Sequence, residues 1–153
     1  MFRGISSVNL DDRGRLAIPT RYRQPLQGDY NGQLIVTIDT EARCLLLYPL
    51  AIWETIEAKL QDLPSFNPAA RRIQRLLIGH ATDLEIDAQG RILLPALLRD
   101  YAELKQTIVL IGQAKKFEIW DEQAWQHRRE QWLAEDGNEG GEGAPEAMKS
   151  LSL

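Results

Sequence analysis

Arg3, Arg13, Arg15, Arg21 and Arg23 crowd the first 30 residues, set against Asp11, Asp12 and Asp29. Every basic residue in that stretch is arginine, whose planar fork of donors suits phosphate oxygens and the edge of guanine. Arg15 stands in the run Asp11-Asp12-Arg13-Gly14-Arg15-Leu16-Ala17-Ile18-Pro19. That run recurs 76 positions later as Asp87-Ala88-Gln89-Gly90-Arg91-Ile92-Leu93-Leu94-Pro95. Two chemistries are open to such a pair. The arginine can reach out to DNA, or it can latch onto the aspartate across its own turn, an ion pair of modest worth when exposed. The repeat favours a latch in both copies. Around the first copy, Arg3, Arg13, Arg21 and Arg23 add positive charge nearby, an electrostatic footprint that leaves the outward reading open for Arg15. For Arg91 the two readings balance. Arg71, Arg72 and Arg75 read as the solvated face of a helix.

Catalysis would have to use Asp11 and Asp12 as paired carboxylates, with His80 or His127 as the base. Neighbouring carboxylates in a polar turn need not converge on one atom, and the two histidines lie 47 positions apart without metal-ligand companions. No phosphate-cradling glycine loop or nucleophile elbow is present. Cys44, the single cysteine, is flanked by Leu45, Leu46 and Leu47 and reads as a buried, inert thiol. The expectation is a protein that is not an enzyme, with no cofactor, no metal and no small-molecule substrate.

The elements that must position the arginines follow from periodicity and turn residues. Val8-x-Leu10 and Leu16-x-Ile18 alternate on either side of Asp11 to Gly14, which predicts a hairpin. Asp11 and Asp87 can cap backbone amides at the start of each turn, and Gly14 and Gly90 tolerate positive φ at its end. Pro19 opens a short helix predicted over Thr20 to Gln24. Strands are predicted at Leu34 to Ile38 and Cys44 to Tyr48. A helix follows from Pro49 to about Leu63, with Trp53, Ile56 and Leu60 on one face. A second helix is predicted from Pro68 to His80. The plan then repeats: strands at Thr82 to Ile86 and Arg91 to Leu94, and a helix from Pro95 with Leu97, Tyr101 and Leu104 at spacings of four and three. Strands at Thr107 to Ile111 and Phe117 to Trp120 precede a helix over Glu122 to Leu133. Trp53, Trp125, Tyr48 and Trp120 recur between the copies and read as core or interface aromatics.

Two copies are too few for a solenoid, so a pseudo-symmetric pair sharing one core is predicted. The fold class is α+β and β-rich, since small sheets of short strands bury little alone and intertwining would close their edges. The divisions are unit 1 over 1–53, linking helices over 54–80 and unit 2 over 81–125. Residues 126–133 end the last helix.

From Ala134 the composition turns to Gly, Glu and Ala, which predicts a disordered acidic tail over 134–153. The net charge is −4, and the tail alone supplies it: Glu135, Asp136, Glu139, Glu142 and Glu146 against Lys149. An indiscriminate nucleic-acid binder is thereby excluded, while a local basic face on a neutral body is allowed. No apolar run is long enough to span a bilayer. The start of the chain lacks the apolar region of a signal peptide, and a reducing cytoplasm suits the lone cysteine.

The segments Met1-Phe2-Arg3-Gly4, Asn9 to Leu16 and Pro19-Thr20-Arg21-Tyr22-Arg23 resemble the start of the MraZ family. Arg75-Leu76-Leu77-Ile78-Gly79-His80-Ala81 followed by Asp87 to Pro95 is similar to its second half. The paired elements from Asp11 to Arg15 and from Asp87 to Arg91 are that family's signature, and the resemblance covers about residues 1 to 133. It implies two tandem AbrB-like, swapped-hairpin units that associate into a ring-shaped homo-oligomer. It also implies a cytoplasmic, nucleoid-associated transcriptional regulator. Such a regulator binds short direct repeats in double-stranded DNA upstream of division and cell-wall genes, its own included. The DNA-contact candidates are Arg3, Arg13, Arg15 and Arg91; Asp11, Gly14, Asp87 and Gly90 shape the turns. The second turn has Ala88-Gln89 where the first has Asp12-Arg13, so it lacks a cation two residues before its arginine. A protein-interaction adaptor whose acidic tail folds on a partner is the alternative, and Ala147, Met148, Leu151 and Leu153 give it little apolar face.

Overall fold

Gly14 and Gly90 take φ of +87° and +77°, a left-handed conformation that costs a side-chain-bearing residue energy. They end two turns that send the chain away from the strand it came from. The computed structural model describes residues 1–135 and 145–151. The first half runs β1 (Phe2–Asn9), β2 (Arg15–Ala17), α1 (Thr20–Tyr30), β3 (Gln33–Ile38), β4 (Leu45–Pro49) and α2 (Leu50–Gln61). Next comes α3 (Pro68–Ile73), continuing as a π-helical turn over Gln74–Ile78. The second half runs β5 (Thr82–Glu85), β6 (Arg91–Leu93), α4 (Ala96–Tyr101), β7 (Thr107–Ala114), β8 (Lys116–Asp121) and α5 (Glu122–Ala134). A last turn of helix, α6, spans Glu146–Lys149.

Among the described residues the strands form a six-stranded sheet, β1-β7-β8-β4-β3-β5, and a two-stranded ladder, β2-β6. Among the described residues every strand pairing is antiparallel, and the two halves interleave: β1 pairs with β7 of the second half, and β5 with β3 of the first. The registers are images of one another. Asn9 faces Thr107 in one pair, and Glu85, its equivalent, faces Gln33 in the other. Leu16 faces Ile92, its own repeat partner, and Leu46 faces Glu118 in the same way. A pseudo-twofold axis therefore passes through the centre of the β2–β6 ladder and the centre of the β4–β8 pair.

The hairpin expected around Asp11 to Gly14 is corrected by this exchange. Between its two arms only the bridge Leu10–Leu16 forms, because each arm finds a longer or better-buried partner in the other half. Interleaving also moves the sheet's edges to β1 and β5 without removing them. Helix α1 runs on to Tyr30, past the predicted end at Gln24. Fully buried Leu26 holds its second half to the core, at the cost of the hydrogen bond that Pro25 cannot donate. The predicted helix over Pro68 to His80 is capped by Asn67, whose side chain accepts from the amides of Ala69 and Ala70, but it widens into the π turn after Ile73. In α4 the inward residue is Leu98, the repeat partner of Tyr22, while Leu97 is 66% exposed. The acidic segment, expected to be disordered, holds a turn of helix at Glu146–Lys149; its remaining stretches 136–144 and 152–153 lie outside the described residues.

One face of the sheet packs Leu34, Val36, Leu45, Leu47, Ile108, Leu110, Phe117 and Ile119 against Leu16 and Ile92 of the ladder and against Tyr22, Leu26 and Leu98 of the helices. Each such side chain contributes roughly 1.5–3 kcal/mol by leaving water. On the other face, Ile35 and Tyr48 meet Trp53 of α2, with Ile56 and Leu60 beside it as the spacing predicted. The chain divides into two compact units, Met1–Glu122 and Gln123–Leu153. Within the second, the Trp125 and Trp132 rings lie 6.1 Å apart and Arg128 sits over Trp132. No helix among the described residues is long and apolar enough to cross a membrane.

Candidate nucleic-acid interface

Each Asp-x-x-Gly-x turn is built by its own carboxylate. Asp11 Oδ1 accepts from the backbone N–H of Arg13 at 2.9 Å and of Arg15 at 2.8 Å. Asp87 Oδ1 does the same for Gln89 and Arg91, at 2.9 and 2.8 Å. The glycine N–H closes each turn onto the aspartate carbonyl at 3.0 Å. The two turns are then tied to each other's copy, because Leu94 N donates to Gly14 O and Ile18 N to Gly90 O, both at 2.8 Å.

Between the turns lies the β2–β6 ladder, with Arg15 opposite Leu93 and Ala17 opposite Arg91. Leu16 and Ile92 point into the core, so the alternation of a strand puts Arg15, Ala17, Arg91 and Leu93 on the outer face. The two arginines occupy diagonal positions across the pseudo-twofold axis, where side chains start about 7–8 Å apart. Asp11 is affected by both arginines, Asp87 by Arg91 alone of the two. The Arg15 backbone N–H, then that of Arg13 and the charges of Arg15 and Arg91, hold Asp11 below the usual carboxylate range. Asp87 is lowered chiefly by the Arg91 backbone N–H.

The latch closes in one copy only. Arg91 Nε lies 3.2 Å from Asp87 Oδ2, and its Nη2 donates to Gln89 Oε1. Among the described residues, the side chains of Arg13 and Arg15 enter no ion pair. The first turn thus offers two uncommitted guanidinium groups, and the second one arginine held along its own turn. Gln89 stands where the first turn has Arg13, and it gives Arg91 an acceptor that Arg15 does not have.

Arg3 is placed apart from this group. It sits near the far end of β1, opposite Gln113, six residues or about 20 Å of strand from Asn9. Arg21 is also committed elsewhere: it donates to Ser6 Oγ at 2.7 Å and to the Tyr22 hydroxyl, and stacks on the Tyr22 ring. Arg71, Arg72 and Arg75 are exposed on α3 and the turn after it. Two arginines that the sequence reading did not assign to the site do belong to it. Arg23 and Arg99 lie against Gly90 and Gly14 of the turns. Both fall at the repeat spacing of 76, and that match was the available signal.

Elsewhere the side chains are occupied structurally. Asp39, Cys44 and Glu118 bring ligand atoms within 4.8 Å of one another. However, the thiol donates to Asp39, Glu118 accepts from Trp120 Nε1, and burial with the two carboxylates pushes the thiol far above its ordinary pKa. We assign no metal there. A groove lined by Tyr30, Tyr48, Lys59, Lys115 and Lys116 among apolar side chains has no carboxylate or histidine in its lining.

The carboxylate caps give a pH expectation. Because the folded values of Asp11 and Asp87 are depressed, their contribution is complete above the ordinary aspartate range and disappears as pH falls through the lowered folded values. The shape of both turns is therefore expected to persist through mildly acidic pH and to be lost only below the ordinary aspartate range. Asp11→Asn, which keeps an acceptor oxygen, should retain more of the turn's shape than Asp11→Ala. Carboxyl-carbon NMR titration checks this, and a midpoint for Asp11 at or above the usual aspartate value would contradict it.

Residues 1–76 and 77–142 each match the family model described as "MraZ protein, putative antitoxin-like". The junction between the matches reflects the same 76-residue spacing that separates the two turns. A Legionella pneumophila (strain Paris) protein named "Transcriptional regulator MraZ" is 60% identical over 153 residues, 100% of both chains. Proteins of the same name from Coxiella burnetii (strain RSA 493 / Nine Mile phase I) and Alkalilimnicola ehrlichii are 55% and 53% identical, again over 100% of both chains.

Proposed function

The chain belongs to the MraZ family of transcriptional regulators, and from that premise we propose that it binds double-stranded DNA sequence-specifically through the outer face of the β2–β6 ladder. Arg13 and Arg15 of the first turn make the principal contacts, Arg91 a lesser one, and Asp11, Gly14, Asp87 and Gly90 hold the shape that presents them. One observation carries the reading: two turns built by the same carboxylate device flank one exposed ladder, and the first leaves both its guanidinium groups uncommitted. Repeat boundaries of 1–53 and 81–125, joined through 54–80, go with this reading. So does a place of action in the cytoplasm at the nucleoid.

The proposal extends to short direct repeats in front of division and cell-wall genes, including the protein's own gene, bound by a ring-shaped homo-oligomer. The support is electrostatic and geometric. A body that carries no net positive charge gives one turn too little attraction to hold DNA, since a turn offers two to three contacts, so several turns must engage together. Subunits repeated head to tail present them all in one sense, which suits direct repeats.

The test is to sequence the genomic fragments that the purified protein retains, then to measure binding to one, two and three copies of the element found. We expect affinity to rise steeply with copy number and the gain to vanish when the spacing shifts by half a helical turn. Equal affinity for one and three copies, or a monomer by sedimentation at micromolar concentration, would refute the multivalent reading.

A further inference from the structure

Each turn of the proposed DNA-binding face carries an arginine of the opposite repeat on its glycine. A methyl group added at Gly14 would stand 2.7 Å from Arg99 Nε and 2.8 Å from its Cζ. One added at Gly90 would overlap Arg23 Nε and stand 2.6 Å from its Cζ. The two guanidinium groups therefore lie directly against the glycine Cα atoms, in space that any other residue type would fill. Each is anchored from its middle: Arg99 Nε donates to Leu94 O at 3.0 Å, and Arg23 Nε to Ile18 O at 2.6 Å. Both are half-buried. The carbonyls that hold them belong to Leu94 and Ile18, whose own amides grip Gly14 O and Gly90 O of the opposite turns. Arg99, Leu94 and Gly14 thus form one contact group, and Arg23, Ile18 and Gly90 its image.

We propose that Arg99 and Arg23 are positioning residues for DNA binding, each fixing the turn of the other repeat. This rests on the DNA-binding reading above and adds the device that sets the geometry. The consequence runs against sequence proximity. Arg23, eight residues from Arg15, supports the second turn, whereas Arg99, 84 residues away, supports the turn that carries Arg13 and Arg15. A lysine cannot replace either, because it has no planar mid-chain donor to hold the carbonyl while lying flat on the glycine.

The experiment uses the full chain and two readouts. Backbone amide shifts of the free protein come first, because they need no DNA. Arg99→Ala and Arg99→Lys are expected to move the amides of Arg13, Gly14 and Arg15, and Arg23→Ala those of Gln89, Gly90 and Arg91. Affinity for retained genomic DNA comes second, per folded molecule. Both Arg99 variants should bind about fivefold or more weakly, with the slope of affinity against salt unchanged, and Arg23→Ala should lose less. Shifts confined to residues 94–99, or movement of the Arg15 amide by Arg23→Ala, would overturn the cross-repeat assignment. A salt slope lowered by about one in Arg99→Lys or Arg99→Ala would make Arg99 a phosphate ligand and equally overturn it. If the unaltered protein retains no DNA, the binding proposal fails while the amide arm still decides this one.

Discussion

Arg15→Ala is expected to weaken DNA binding by about 1–3 kcal/mol, roughly 5- to 150-fold, if the guanidinium reads a base edge. The melting temperature should scarcely change, because Arg15 makes no ion pair among the described residues and its contribution to the turn is a backbone N–H that alanine keeps. Arg91→Ala should cost less binding, since Arg91 is already held by Asp87 and Gln89 and would have to leave them to reach DNA. Equilibrium binding with a parallel thermal melt checks both variants. An Arg15→Ala protein that melts early yet binds as well per folded molecule would reverse the assignment and make Arg15 a structural residue.

The adjacent position should behave in the opposite way. Leu16 is 1% exposed, faces Ile92 on the pseudo-twofold axis, and packs with Ile18, Leu94 and the inner face of the sheet. Leu16→Ala removes buried methyl groups where strands from both halves meet, so the space cannot collapse without disturbing the ladder. A loss of about 2–5 kcal/mol of stability is expected, read as a lower denaturation midpoint with an unchanged slope. The molecules that remain folded should keep much of their DNA affinity. A full-stability Leu16→Ala protein would mean that the ladder is not part of the core.

Much of this architecture was legible because the repeat carries its own restraints. Asp, Gly, Arg and Pro at constant spacing identify the two turns, and the apolar partners Leu16 with Ile92 and Ile18 with Leu94 identify the buried side of the ladder. The strand partners were not legible. Val8-x-Leu10 has the same pattern whether it pairs with Leu16-x-Ile18 or with a strand a hundred residues away. Local alternation therefore suggests the nearer partner, whereas the chain takes the farther one over eight residue pairs. The inward residue of α4 is not evident from spacing for a related reason. Counting three and four residues from Leu97 gives a plausible stripe, but the repeat match to Tyr22 points to Leu98, the residue that is buried. At the site, the two turns differ by Asp12-Arg13 against Ala88-Gln89, and Gln89 offers Arg91 an acceptor where Arg13 offers Arg15 none; what that does to each arginine depends on side-chain geometry. Arg23 and Arg99 look in sequence like ordinary helix arginines, and only the crossing of the two halves puts each on the other's glycine.

The exposed side of the β2–β6 ladder is the surface proposed to meet DNA. Asp12 and Ala88 stand at the tips of the two turns, both exposed, and neither is assigned a contact of its own. Glu54 is exposed on α2, which covers the other side of the sheet. A photo-crosslinking side chain placed singly at 12, 88 and 54, and irradiated with the retained genomic DNA, reads the surface directly. A protein–DNA adduct is expected from position 12, a weaker one from 88 and none from 54. Adducts from position 54 with none from 12 would contradict it.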